Sequence, residues 1–184
     1  GSEMCIRDRA HADPSAEIAL VATTLSAEIT YRVDGADEIF DASDFFIGPM
    51  LTMAPPTGCL TGLSFSKAPA VCGTGFHEVA PRKSDYALAS AAAQINFAAG
   101  SGVTSIHVGV GSVGDFPERL DVDQLCGTSL DDAAIADAIH AAMQMVETVE
   151  DLHATAAYRK RVATELAIRA LRDARDEISK DLNQ

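Results

Sequence analysis

Apolar and polar residues alternate through Ala27-Glu28-Ile29-Thr30-Tyr31-Arg32-Val33, and the same rhythm returns at Glu38-Ile39-Phe40 beyond Asp34-Gly35. A period of two puts alternate side chains on opposite faces of a strand, and Asp-Gly suits the tight turn between two strands, so this stretch predicts a hairpin. Upstream, Asp13-Pro14-Ser15-Ala16-Glu17 offers an acid to cap free amides and a proline that fits a first turn. A short helix over residues 13–23 is expected, with Asp13 as its cap. Pro55, Pro56 and Gly58 punctuate a loop before a strand at 60–65, and residues 69–75 read as a flexible connection in which the domain boundary is placed.

Beyond that connection, residues 75–80, 86–97 and 103–110 read as three extended segments, the last two joined at Ala99-Gly100-Ser101-Gly102. A three-stranded antiparallel sheet is the simplest arrangement. The spacing of Ile135, Ile139, Ala142, Met143 and Val146 predicts a helix over 131–149, with Ser129 as cap and Asp132 three residues later. A final helix over 155–181 carries Ala163, Leu166, Ala170, Leu171, Ala174 and Ile178 as its apolar stripe. Strands followed by helices imply an α+β fold with the helices on one face of the sheet.

With 184 residues, 47% hydrophobic and 22% charged, the chain can bury a core of one domain or two small ones. A formal net charge of -13 argues against nucleic acid and anionic membrane surfaces as partners, because both attract accumulated Lys and Arg. No apolar run reaches the roughly 20 residues that span a bilayer, and the N-terminus lacks a signal-peptide pattern, so no membrane insertion and a cytoplasmic location are expected. Cys5, Cys59, Cys72 and Cys126 form no C-x-x-C pair, and His11, His77, His107, His140 and His153 no i, i+4 pair. Buried free thiols and no metal are expected.

Four runs carry candidate chemistry. Gly109-Val110-Gly111-Ser112-Val113-Gly114 is a literal G-x-G-x-x-G, yet Asp115-Phe116-Pro117 interrupts it where a dinucleotide site needs a helix. A glycine-rich strand end is the preferred reading. Ala10-His11-Ala12-Asp13-Pro14-Ser15-Ala16-Glu17 combines a turn, a helix start and two acids. The acids could accept hydrogen bonds from ribose hydroxyls, or serve only as cap and first-turn charge. Phe76-His77-Glu78-Val79-Ala80-Pro81-Arg82-Lys83-Ser84-Asp85-Tyr86 runs from a strand into a basic turn. There Tyr86 could stack on a planar ring or simply fill the core, and Asp85 could cap the turn. The run from Glu150 to Arg161 reads as a solvated charged helix start, or as a basic face for an acidic partner.

Taken in order, these segments resemble the FAD-binding medium subunit of the molybdenum hydroxylases, the xanthine and carbon monoxide dehydrogenase family, from Ala10 to about Arg175. The resemblance rests on Ala10 to Glu17, on Asp44-Phe45-Phe46-Ile47-Gly48-Pro49, and on a strand like 60–65. It rests also on the pattern met by Phe76, Val79, Ala80, Arg82, Asp85, Tyr86 and Ala87, and on that met by Asp151, Leu152, His153, Thr155, Ala156, Tyr158, Arg159 and Lys160. It implies residues 10–70 as the C-terminal part of a flavin-binding α+β domain and 71–184 as the flavoprotein C-terminal domain. The implied cofactor is FAD, with Ala10, His11, Asp13, Glu17, Leu60, His77, Asp85 and Tyr86 facing it: Glu17 by the ribose, Tyr86 beside the ring. The implied partners are an iron-sulfur small subunit that supplies electrons and a molybdenum-cofactor large subunit where hydroxylation occurs. The family's N-terminal glycine-rich flavin loop has no counterpart here, and Gly1 to Arg9 stand where a Thr-x-Gly-Gly loop is expected. Those nine residues are read as foreign and the chain as truncated, with FAD held weakly if at all. A stand-alone interaction module using the helical end, and a nicotinamide dehydrogenase built on Gly109 to Gly114, are the competing readings.

Overall fold

The computed structural model of the chain describes residues 12–82 and 85–182; the nine residues expected to be foreign, Ala10 and His11 lie outside them. Helix α1 (Glu17–Thr24) begins later than its sequence suggests, with Ala16 at the N-cap and no side-chain cap. Asp13 instead closes the turn before it, accepting from the Ser15 amide at 2.9 Å through Oδ1 and from the Ala16 amide at 3.1 Å through its carbonyl. A turn that satisfies these amides locally competes with an earlier helix start.

The predicted hairpin is present as β1 (Glu28–Val33) and β2 (Ala36–Asp41), paired antiparallel from Glu28 opposite Asp41 to Val33 opposite Ala36. Asp34 and Gly35 take φ of 50° and 84°, the left-handed pair that a two-residue turn requires. The chain continues through a one-turn helix α2 (Ala42–Phe45), capped by Asp41, and two short strands, β3 (Phe46–Gly48) and β4 (Leu51–Thr52). Strand β5 (Cys59–Ser64) then pairs with the free side of β1, giving the order β2-β1-β5. Phe45 is fully buried beneath this sheet, with its ring 5.9 Å from Tyr31, 5.6 Å from Phe40 and 5.2 Å from Phe46. These aromatics, with Ile29 and the alanines of α1, form the first hydrophobic cluster.

A second antiparallel sheet follows: β6 (Val71–Val79), β7 (Ala89–Ala98), β8 (Gly102–Gly111) and β9 (Glu118–Leu120), in that spatial order. It has four strands where three are expected; β9 is three residues long and follows Pro117, too short for an alternation to register. Strand β6 also starts inside the supposed flexible connection. Its glycines are not linker residues: a Cβ on Gly73 would strike the carbonyl of Ala174, and one on Gly75 the carbonyl of Ala170. They let the last helix lie against the strand backbone.

Helices α3 (Asp132–Met145) and α4 (Ala156–Asp181) cover that face. Ala91, Ala93 and Ile95 of β7 and Ile106, Val108 and Val110 of β8 meet Ala163, Leu166, Ala167, Ala170, Leu171 and Ala174 of α4 in the second cluster. The cap of α3 is Asp131 rather than Ser129: its Oδ1 accepts from the amides of Ala133 and Ala134 at 3.1 and 3.0 Å, and the Ser129 hydroxyl donates to its Oδ2 at 3.2 Å. A carboxylate is the stronger acceptor at the positive end of a helix. Helix α3 stops at Met145, so Val146 is buried from beyond the helix end.

The opposite face of the sheet is not bare. Helix α1 packs on β8, and a Cβ on Gly109 would collide with Thr24 Oγ1 while one on Gly111 would meet Ser90 Oγ at 2.8 Å and Leu20 at 3.4 Å. Helices therefore lie on both faces, and two glycines of the G-x-G-x-x-G run serve close packing. That run heads no helix, since β8 ends at Gly111 and the chain bends toward β9, which removes the geometry a dinucleotide pyrophosphate needs. Cys59 and Cys126 are exposed and Cys72 is half-buried, so these thiols are free but not interior as expected. Among the described residues no helix is long and apolar enough to cross a membrane.

Candidate functional site

Four chain segments that are far apart in sequence converge on one cleft. Between β6 and β7 the chain turns through Pro81, Asp85 and Tyr86. The Leu88 amide then donates to the Val79 carbonyl at 2.7 Å to start the strand pairing. The Tyr86 amide donates to the side chain of Asp85 at 3.0 Å, which holds the backbone of a residue that is 58% exposed. At the end of β8, Ser112 adopts φ 62°, and its amide donates to the Pro14 carbonyl at 2.9 Å, bringing the turn of Asp13 alongside. The connector between α3 and α4 arrives through the Val149 amide, which donates to the Val113 carbonyl at 2.9 Å. With Pro49, these segments enclose about 410 Å³, within the size range of small-molecule and cofactor sites.

Behind the cleft stands Arg159, whose side chain is only 7% exposed. Its Nη1 donates to the carbonyls of Leu88 at 2.7 Å and Ser112 at 2.6 Å, and its Nη2 to Asp151 Oδ2 at 2.7 Å. The other oxygen of Asp151 accepts from the amides of His153 and Ala154, each at 2.9 Å. The Arg159 guanidinium and these two amides hold the Asp151 carboxyl down from 3.8 to about 2. Because the folded value is depressed, the contribution is complete above about pH 4 and is lost as pH falls from there toward 2. Asp151→Asn is accordingly expected to flatten the acid limb of stability against pH between those values, and an unchanged limb in urea titrations at pH 5, 4 and 3 would refute the link.

Cleft chemistry fits some parts of a flavin nucleotide and not others. An exposed phenol ring on the wall can stack on a planar heterocycle, and Asp13, Asp85 and Asp115 can accept bonds from hydroxyl or imide groups. Among the described lining residues Arg159 is the one Lys or Arg, and it is engaged with three acceptors, so these residues offer little grip for a pyrophosphate.

Of the residues the sequence singles out, Asp13, Asp85 and Tyr86 come together here. Glu17 lies apart, exposed on the first turn of α1 beside a depression lined by Ile18, Val21, Leu63, Phe65 and Phe76. Leu60 packs against the first hydrophobic cluster, next to Phe45 and Phe46. His77 faces α4, where its Nε2 is 2.8 Å from Asp173 Oδ2. Ala10 and His11 fall outside the described residues.

By its pattern of charge, the basic run at the start of the last helix reads as a solvated face or a partner surface. Arg159 instead points inward. A signal for this exists: Arg159 precedes Ala163, Leu166, Ala170 and Ala174 at spacings of four, seven, eleven and fifteen, which places it on the apolar stripe.

Residues 74–174 match the family described as the CO dehydrogenase flavoprotein C-terminal domain. The chain is 28% identical over 167 residues to the nicotine 6-hydroxylase medium subunit of Paenarthrobacter nicotinovorans, covering 90% of this chain and 58% of that protein. It is equally 28% identical over 167 residues to the glyceraldehyde dehydrogenase medium chain of Sulfolobus acidocaldarius, covering 89% of this chain and 58% of that one. The chain thus spans somewhat more than half the length of these relatives. In fold it is similar to a chain of the carbon monoxide dehydrogenase of Hydrogenophaga pseudoflava in a form lacking the Mo-pyranopterin moiety of the molybdenum cofactor. That likeness has a TM-score of 0.85 at 22% identity and covers 92% of this chain and 60% of the other. The matched span runs from β6 through most of α4 and contains the Tyr86 turn, the end of β8 and the connector through Val149, which are three walls of the cleft, and Arg159, its clamp. With these elements in their expected order, the chain belongs to the CO dehydrogenase flavoprotein C-terminal domain family.

Proposed function

We propose that this chain is part of the FAD-binding medium subunit of a molybdenum hydroxylase, and that its cleft covers the ring side of the flavin. In this reading residues 10–70 complete the FAD-binding domain and 71–184 form the C-terminal domain over it. An iron-sulfur small subunit delivers electrons, a molybdenum-cofactor large subunit performs the hydroxylation, and an acceptor takes electrons from the flavin. Bound FAD supplies a redox centre that accepts and releases electrons singly or in pairs.

The observation that carries the reading is Tyr86. An exposed tyrosine, its backbone fastened by the Asp85 carboxylate, stands at the wall of a cleft in a flavoprotein-family domain. The family resemblance, with the chemistry of each side chain, assigns the roles: Tyr86 excludes water from one ring face, and Asp85 fixes Tyr86. Asp13 accepts from a hydroxyl or imide, and Glu17 accepts from ribose hydroxyls at the start of α1. Ala10, His11, Leu60 and His77 are proposed as further flavin-side positions on the strength of the family resemblance alone.

The test is flavin retention. The chain as it stands is expected to bind FAD weakly, because among the described residues the cleft offers no free Lys or Arg for the phosphates. The subunit expressed with the coding sequence upstream of Ala10 is expected to purify yellow with stoichiometric FAD. Tyr86→Ala in that subunit should weaken FAD by about two- to tenfold, the size of one aromatic stacking contact. A complete subunit that takes up no flavin would refute the reading.

A further inference from the structure

We propose that Arg159 is the positioning residue of the cleft: its guanidinium sets the spacing between the wall that carries Tyr86 and the wall formed by the end of β8. The flavin half of this inference rests on the function proposed above, whereas the positioning half stands on geometry alone.

The strand pairing of β7 with β8 reaches only as far as Ser90 opposite Gly111, and the Tyr86 and Ser112 segments lie beyond the ladder there; each of the four lining segments is tied to Arg159 directly or through one further bond. Leu88, two residues from Tyr86, gives its carbonyl to Nη1, and Ser112 gives its carbonyl to the same nitrogen. Through the Ser112 amide the tie extends to Pro14 and the turn of Asp13. Through Nη2 and Asp151 it extends to His153 and Ala154, whose amides fix the connector carrying Val149.

Ser112 marks where this fastening is under load. It is a non-glycine residue at φ 62°, it is 3% exposed, and its hydroxyl has no partner among the described residues. A left-handed conformation with an unsatisfied buried hydroxyl persists only where surrounding bonds over-determine it. The bonds at Ser112 are its amide to Pro14 and its carbonyl to Arg159.

Lysine cannot replace the fork. It keeps the charge but presents a compact ammonium on a flexible stem, so it cannot bridge two carbonyls and a carboxylate with fixed angles. Asparagine at 151 keeps the shape and an acceptor but loses the charge, so it loosens the connector while leaving the two carbonyl bonds in place.

The experiment compares wild type, Arg159→Lys and Asp151→Asn by site-resolved amide hydrogen exchange and by FAD titration of the upstream-completed subunit. Arg159→Lys is expected to speed exchange by about tenfold or more in residues 85–88 and 112–115, with the strand interiors of β7 and β8 unchanged. The same variant should weaken FAD about tenfold and shift its visible absorption band, with Asp151→Asn intermediate. Exchange unchanged at those segments, or raised evenly over the whole chain as a merely structural role would give, overturns the proposal. If the segments respond selectively but the wild-type subunit takes up no flavin, the positioning role stands and the flavin reading falls.

Discussion

Arg159→Met should lower the stability of the chain by about 3 kcal/mol or more, which for a chain of this size is a fall in Tm of roughly 6–12 °C. The size follows from what stays behind. Methionine fills much of the volume, but the buried carbonyl of Ser112 and the partly buried one of Leu88 lose a charged donor at 2.6 and 2.7 Å. Each unsatisfied buried acceptor costs about 1–3 kcal/mol. Asp151 adds less, because its side chain is 46% exposed and solvent can take over from the guanidinium. Hence Asp151→Ala should be the milder variant, and the order of the two separates buried-carbonyl satisfaction from the ion pair. Urea denaturation with tyrosine fluorescence measures both. Equal losses from the two substitutions would mean that the pair, not the carbonyls, is what Arg159 supports.

How far the cleft could be read in advance depends on the range of the interaction that makes each part. The β1–β2 hairpin is local, since alternation and Asp34-Gly35 act over a few residues, and it forms where the pattern puts it. Helix α4 is almost as legible, because its apolar stripe recurs at helical spacing from Ala163 to Ile178. Strand β6 is misread at its start for a specific reason. Glycine signals a linker when nothing packs on it, and the sequence does not say that α4, about a hundred residues later, will press on Gly73 and Gly75.

The same limit governs the site. Tyr86, Asp85 and Asp13 are each conspicuous in the chain, but their meeting depends on the pairing of β6 with β7 and on one bond from Ser112 to Pro14. Those are contacts between residues up to a hundred positions apart, on which periodicity is silent. Arg159 is a different case: its inward direction is encoded in helical phase, whereas its charge by itself suggests solvent. A cation on an apolar stripe is better read as a clamp seeking carbonyls than as a face seeking a partner.

Gly75→Ala, and Gly73→Ala beside it, should be at least as damaging as the loss of Arg159, by about 3 kcal/mol each. Most glycine-to-alanine changes are mild because a side chain can turn aside for one methyl group. Here the obstacle is main chain. The added Cβ would run into the Ala170 carbonyl at position 75 and the Ala174 carbonyl at position 73, both already committed within α4. The helix must lift from β6, and as it lifts, Ala163, Ala167, Ala170, Leu171 and Ala174 lose contact with β7 and β8. The two substitutions should be less than additive, since a helix displaced by the first methyl has already made room for the second. Gly100→Ala supplies the control: it sits at φ 86° in the β7–β8 turn with nothing near its Cβ, so it should lose only the roughly 1–2 kcal/mol of a left-handed alanine. Thermal denaturation of the three variants decides the matter. If Gly75→Ala melts no lower than Gly100→Ala, α4 does not lie on β6 as closely as described, and the floor beneath the Tyr86 wall is built some other way.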